Sequence, residues 1–414
     1  MRIRIEHTNN PLNYGTNMMV ANFMYYLNKE MGKNNKYKLD VFNDEDLEIY
    51  KNQYLMLDME RETIDYNFYY SSNIIGKIVN RIKREYLFKY FNNKNLKKLE
   101  KDSDILVILG GDDLSEYYPV EALKRELYKM NYIKDKLDVI LVGQTIGPFK
   151  EERKRLVKDS LSNIKIYSRD PWTKEYLENE IGLKGIITSS DLALLPLPGQ
   201  NDNKVKEDIM RNYGLISEEY ITIVPSGLYK SYCEDEETYV NNFVDIINYI
   251  KKTTNYKIVL LPHVLRPHFV DDRNIIKKLE EKFKNDNRIK YIYDKMSPLQ
   301  ARFILGNGKL TITGRMHGAI NTLQMRKPAI SISYSVKYDG VIGKDLGLSE
   351  LIVKGDNSEL WTNKRVSNDT IEKIDFILSN YSDIANKIDN SVKESEKNII
   401  SMIKDIANNI KGDK

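Results

Sequence analysis

Thr311-Ile312-Thr313-Gly314-Arg315-Met316-His317-Gly318-Ala319-Ile320 is the stretch from which the fold can be read. A β-type run from Lys309 stops at a glycine, and a helix-compatible run, Ala319 to Met325, starts just after it. Between them stand Arg315 and His317, one of only four histidines. Strand, tight turn and helix form the unit of an open α/β sheet, whose ligands sit outside the carboxyl ends of the strands. A helix N-terminus there offers free N–H groups and a partial positive charge to an anion. Two readings stay open at this point. Either the turn binds an anion, or Arg315 pairs with a surface carboxylate and His317 is satisfied in the core.

Working outward, the same unit recurs. Downstream, strand Ala329–Ser333 leads to the loop Tyr334-Ser335-Val336-Lys337-Tyr338. Upstream, strands are expected at Tyr220–Val224, Lys257–Leu261 and Ile289–Tyr293, with helices over Thr238–Lys251, Asp272–Lys284 and from Ser297-Pro298. The first half opens with a strand at 2–7, a polar loop holding Asn13-Tyr14-Gly15-Thr16, and a helix over Met18–Leu27. It lacks the G-x-G-x-x-G fingerprint of a dinucleotide site. A second strand is expected at Lys38–Phe42. Residues 44–100, charged and tyrosine-rich with apolar spacing at Ile74, Ile75, Ile78, Val79 and Ile82, read as a helical insertion. The basic segments Arg81 to Lys89 and Lys94 to Lys101 read as a solvated helix face rather than a binding patch.

Three strand ends of the first half carry polar groups. The buried-type strand Asp104–Leu109 ends in Gly110-Gly111-Asp112-Asp113, where paired glycines let backbone approach a ligand and the carboxylates can accept sugar hydroxyls or cap a helix. Strand Asp138–Val142 runs into Gly143-Gln144-Thr145. Strand Ile164–Tyr167 ends at Ser168-Arg169-Asp170, a ligand contact or an internal Arg–Asp ion pair, before a helix over Pro171–Ile181. The Pro/Gly/Asn-rich stretch Leu192–Asn203 is the expected linker. The chain is therefore read as α/β, with two Rossmann-like, doubly wound domains at 1–196 and 204–360 facing one cleft. Amphipathic helices over 361–414 pack back across them.

Composition narrows the classes. A length of 414 residues suits two domains at ~150 residues each. With 64 basic and 60 acidic residues the charge is +4, a mixed surface and not the positive field of a nucleic-acid binder. The single cysteine, Cys233, excludes an internal disulfide and a cysteine-based zinc site. No apolar run approaches ~18 residues and the N-terminus lacks a signal-peptide core, so a cytoplasmic protein without a transmembrane segment is expected, with peripheral contact at the inner face of the membrane left open.

Taken together, these motifs resemble the polysaccharide pyruvyltransferase family. The resemblance is carried by the NYGT loop (Asn13 to Thr16), the GGDDL turn (Gly110 to Leu114), GQTIGP, YSRDPWT (Tyr167 to Thr173), SSDLALL (Ser189 to Leu195), TGRMHGAI (Thr313 to Ile320) and KPAISISYSVKYDG (Lys327 to Gly340), in order over roughly 1–350. Asp112 stands where many relatives carry a third glycine. The resemblance implies a GT-B-like fold and transfer of the pyruvyl group of phosphoenolpyruvate, as a ketal, to a sugar of a cell-surface glycan, lipid-linked oligosaccharide or other glycoside. It implies a donor site of Arg169, Arg315, Met316, His317 and Lys337. His317 would be an acid aided by Arg169 and Arg315. The acceptor would meet Asn13, Gly15, Gly111, Asp112, Asp113 and Gln144, with Asp112 or Asp113 as base. Neither a cofactor nor a metal is called for, because arginine forks match carboxylate and phosphate. A nucleotide-sugar glycosyltransferase of the same fold and a non-catalytic binding module are the competing readings.

Overall fold

The computed structural model describes residues 1–32, 35–54, 56–62 and 94–412. The chain forms two parallel sheets flanked by helices. The first has strands β1 (Arg2–Glu6), β2 (Lys36–Leu39), β3 (Asp58–Arg61), β4 (Ile105–Gly111), β5 (Asp138–Gln144), β6 (Lys165–Ser168) and β7 (Ile187–Thr188), in the order β3-β2-β1-β4-β5-β6-β7. The second has β8 (Tyr220–Val224), β9 (Lys257–Leu260), β10 (Ile289–Tyr291), β11 (Thr311–Thr313), β12 (Ala329–Ser333) and β13 (Ile352–Lys354), ordered β10-β9-β8-β11-β12-β13. Each sheet reverses its winding once, between β1 and β4 and between β8 and β11. Ligand crevices in doubly wound folds open at those points.

Central strands are buried throughout: Ile105 to Leu109 of β4 and all of β8 and β12 lie inside. That is why β4 reads as a continuous apolar run and β8 as one broken only by Thr222, whereas β12, Ala-Ile-Ser-Ile-Ser, alternates although all of it is buried. Edge strands were harder to see. β3, Asp-Met-Glu-Arg, buries only Met59 and has no apolar signature, so residues 44–100 are not a purely helical insertion. Helix Asp44–Gln53 precedes this strand, and 94–102 are helical. The apolar pattern from Ile74 to Ile82 and the basic run Arg81–Lys89 fall outside the described residues. β2 starts two residues ahead of its expected place and ends at Leu39. Beyond it the Asp40 carboxylate accepts from the backbone N–H groups of His7 and Thr8 (3.0 and 2.7 Å), and Phe42 is exposed.

The stretch Leu192–Asn203 joins the sheets but is no loose tether. Leu192 to Leu195 and Leu197 are buried, and Asn22 donates to the carbonyls of Leu192 and Leu195 (2.9 and 3.0 Å). From the other side the fully buried Arg302 donates to the carbonyls of Ala193 and Leu195 (2.6 and 2.8 Å). A second tie links Leu265 N–H to Leu12 O (3.0 Å) and Tyr14 N–H to His263 O (3.1 Å), with Arg266 on Asp46 (2.9 Å) beside it. The C-terminal helix Tyr381–Gly412 packs on helix Tyr14–Met31 of the first half. It places Asp405 against Lys165 (3.0 Å) and Asp389 against Arg326 (3.2 Å). These ties set the distance between the two crevices.

Candidate active site

The carboxyl ends of both sheets face one cavity of about 1050 Å³. Arg315 is placed by the turn after β11. Thr313 Oγ1 accepts its N–H (2.8 Å), and the Gly314 carbonyl accepts from Tyr338 (2.7 Å) and Tyr232, so the helix Met316–Gln324 starts at a fixed angle with its N-terminal end on the cavity. Gly318 is needed for this entry, because a Cβ there would lie 2.7 Å from Thr313 Oγ1.

Arg315 does pair with a carboxylate, but a buried one. Its Nε and Nη2 donate to Asp272 Oδ1 (3.0 and 2.7 Å), and Nη2 also to Val270 O (2.8 Å). Burial alone would depress the guanidinium's pKa, yet Asp272 holds it above the usual arginine value. Arg169 likewise pairs with Asp191 (2.9 Å) and not with its neighbour Asp170, which caps the following helix through Thr173 N–H (2.7 Å). Its remaining bonds run to Thr145 Oγ1 (2.9 Å) and Gly111 O (3.1 Å). Asp191 also stands 3.4 Å from His317 Nε2. Burial pushes its carboxyl up, but His317 and Arg169 hold it well below the carboxylate range. Arg169, Asp191 and His317 thus form one chain across the two halves.

Lys337 completes the wall. It donates to Tyr334 (2.6 Å) and, across the cleft, to Asp112 (3.1 Å), which also accepts from Tyr118 (3.0 Å). Burial opposes the ammonium, and Asp112 raises its pKa regardless. Burial likewise opposes the Asp112 carboxylate, which the charges of Lys337 and Arg169 hold below its ordinary pKa. Each of the three cations therefore carries its own carboxylate. What they offer a ligand is a set of oriented N–H donors, the strong, charge-assisted kind for carboxylate and phosphate.

Of the expected residues, Asn13, Gly111, Asp112, Asp113, Arg169, Arg315, Met316, His317 and Lys337 line the cavity together. Two do not reach it. Gln144 is fully buried, its amide turned to the carbonyls of Ile108 and Leu109 (3.4 and 3.3 Å). Gly15 lies behind His317, where a Cβ would come within 2.4 Å of the ring; its part is to make room. Asn13 caps helix Tyr14–Met31, accepting from Gly15 N–H (3.1 Å). Sequence reasoning missed His7, Asp191, His263 and Asp272 as members of the site. The fully buried His263 lines the cavity and takes the Asn321 amide on Nε2 (3.1 Å), Arg302 fixing that amide's orientation (2.7 Å). Burial first, then the charges of His317, Arg315 and Arg302, keep it neutral. Its place in the loop after β9, as one of four histidines, was the available signal.

Comparison with known proteins agrees with this architecture. The chain is similar to the amylovoran biosynthesis protein AmsJ of Erwinia amylovora, 24% identical over 306 residues that cover 71% of this chain and 70% of that one. In three dimensions it is similar to UDP-GlcNAc 2-epimerase from Neisseria meningitidis bound to UDP-GlcNAc (TM-score 0.61, 12% identity, 97% and 99% covered). It is also similar to the spinosyn rhamnosyltransferase SpnG (TM-score 0.54, 9% identity, each chain covered in full). At such identities the two structures speak for the GT-B-like fold alone. The family model described as polysaccharide pyruvyl transferase matches residues 13–336. That span contains the GGDDL turn, both arginines and His317, and the chain belongs to the polysaccharide pyruvyl transferase family.

Proposed function

We propose that the protein transfers the pyruvyl group of phosphoenolpyruvate to two hydroxyls of a sugar in a glycan or its precursor, forming a cyclic ketal and releasing phosphate. One observation carries the reading: Arg169, Arg315, Lys337 and His317, from the ends of three strands in two sheets, converge on a single cavity, the three cations each aimed by a carboxylate. Phosphoenolpyruvate is small and densely anionic, and guanidinium forks match both its carboxylate and its phosphate. Arg169 and Arg315 would stabilise charge developing on the departing phosphate. His317, beside Asp191, would deliver the proton to C3 or to the leaving group. No cofactor enters this reaction, since the cations supply the neutralisation.

The test is incubation with phosphoenolpyruvate and a panel of p-nitrophenyl glycosides, following phosphate release and the mass gain of one pyruvyl ketal. Release of phosphate with that gain is expected. Turnover of a sugar nucleotide with phosphoenolpyruvate left intact would overturn the reading in favour of a glycosyltransferase.

A further inference from the structure

The carboxyl ends of β1 and β4 hold a second set of titratable groups that the donor chemistry leaves unused. His7 sits in the left-handed region (φ 66°), held there by the bond from its N–H to Asp40. Its ring lies between two carboxylates, Nδ1 3.4 Å from Asp113 Oδ2 and Nε2 3.8 Å from Glu126 Oε2. Glu126 is shared with Lys129 (2.6 Å), Lys129 also bonds Glu6, and Arg4 bridges Glu6 and Glu62 (2.9 Å each). Asp112, next along the chain, is committed to Lys337 and Tyr118 and its side chain is 9% exposed. The Asp113 side chain is 45% exposed and faces the cavity. Gly111 makes that pose possible, because a Cβ there would lie 2.5 Å from Asp113 Oδ2.

We propose that Asp113 is the acceptor-side base and that His7, clamped between Asp113 and Glu126, is the positioning residue that keeps it anionic. The assignment rests on the pyruvyl transfer proposed above. As an acceptor oxygen uses a lone pair to bond C2 of the pyruvyl unit, its O–H bond breaks and the proton passes to the Asp113 carboxylate. C3 takes a proton and becomes a methyl group. The bond from C2 to the phosphate oxygen breaks with its electron pair on phosphate, and the second hydroxyl closes the ring. Two hydroxyl protons are lost in all; one is balanced at C3 and the other leaves on hydrogen phosphate.

The charges around Asp113 suit that task. Enclosure pushes its carboxyl up, His7 pulls it down, Asp112 and Glu126 push it up again, and Lys337 pulls it down; the result lies above its ordinary value. Burial opposes the His7 cation, but Glu126 and Asp113 outweigh it and the opposing Lys129, raising its pKa to about 10. His7 is thus a cation across the neutral range. Removing it leaves the Asp113 carboxyl harder to ionise.

Asp113→Asn should cut turnover, read as phosphate release with the glycoside panel, by ~100-fold or more while calorimetry shows phosphoenolpyruvate affinity unchanged. His7→Asn, a side chain that tolerates left-handed backbone, should retain turnover at high pH and move the acidic limb of kcat/KM upward. Histidine-selective NMR titration adds a readout independent of substrate: the His7 pKa of about 10 should fall in Asp113→Asn. Turnover near wild type in Asp113→Asn, a His7→Asn that slows the reaction equally at every pH, or an unmoved His7 titration would each overturn the assignment. If the wild-type protein consumes a sugar nucleotide instead, the pyruvyl reading fails, and the same variants assayed on that substrate still decide whether Asp113 is the base.

Discussion

At the crevice between β8 and β11 the chain delivers Arg315, fixed by Asp272; at the matching crevice between β1 and β4 it delivers His7, Asp112 and Asp113. The strand order around the two points is the same, with one edge strand added in the first sheet. The chemistry is opposite. On the second wall, guanidinium N–H groups are held in place by a buried carboxylate. On the first, a carboxylate faces the cavity and a histidine is held in place behind it. A duplicated architecture therefore says where ligands go, and the residue just past each strand says which charge they meet. An anionic donor on one side and a hydroxyl to be deprotonated on the other fit that division.

The sharpest way to break the comparison is at the group bridging the two walls. Asp191 is fully buried between Arg169 and His317. Asp191→Asn should cost about 3–5 kcal/mol of stability in chemical denaturation, because it leaves the Arg169 cation buried without its counter-charge. An unchanged midpoint would mean that the two halves are not coupled through this chain. Next in size, Arg315→Ala should weaken phosphoenolpyruvate binding about 100-fold by titration calorimetry, the loss of charged hydrogen bonds worth about 3 kcal/mol. The fold should survive it, since Asp272 still accepts from the backbone of Gly227, His263 and Val264 (2.8, 2.9 and 2.8 Å). Unaltered binding would remove the second wall from the donor site. The smallest effect is expected from Gly15→Ala, whose Cβ would press on the His317 ring. Turnover should fall on the order of tenfold with donor affinity kept, as for a misplaced catalytic group. A variant with wild-type turnover would place His317 outside the chemistry.

Much of the fold was legible because buried parallel strands are apolar on both faces, as the runs Ile105–Leu109 of β4 and Val139–Val142 of β5 are throughout and β8 is except at Thr222. The glycine or polar residue that stops each run marked the crevices. Of the edge strands β10 was legible and the others were not: β3 buries one side chain, and β7 and β13 are two and three residues long. In the site, residues lying just past a strand could be named, because strand ends point at the crevice. Gln144 shows the limit of that rule. It lies one residue past a glycine at a strand end, and still turns inward to satisfy two carbonyls.

By itself, then, the amino-acid sequence determined two doubly wound α/β halves, the crevices at their strand ends and the arginines, histidine and lysine that stand there. Periodicity and local turn chemistry act over a few residues and are written directly in the order of side chains. Only the tertiary structure decided what each charge is paired with. Arg169 meets Asp191 rather than Asp170, Arg315 meets Asp272, Lys337 crosses to Asp112, and His7 lies between Asp113 and Glu126. Those partners come from 22 to 225 residues away. A buried charge accepts whichever counter-charge the packing brings within reach, and sequence distance has no part in that choice.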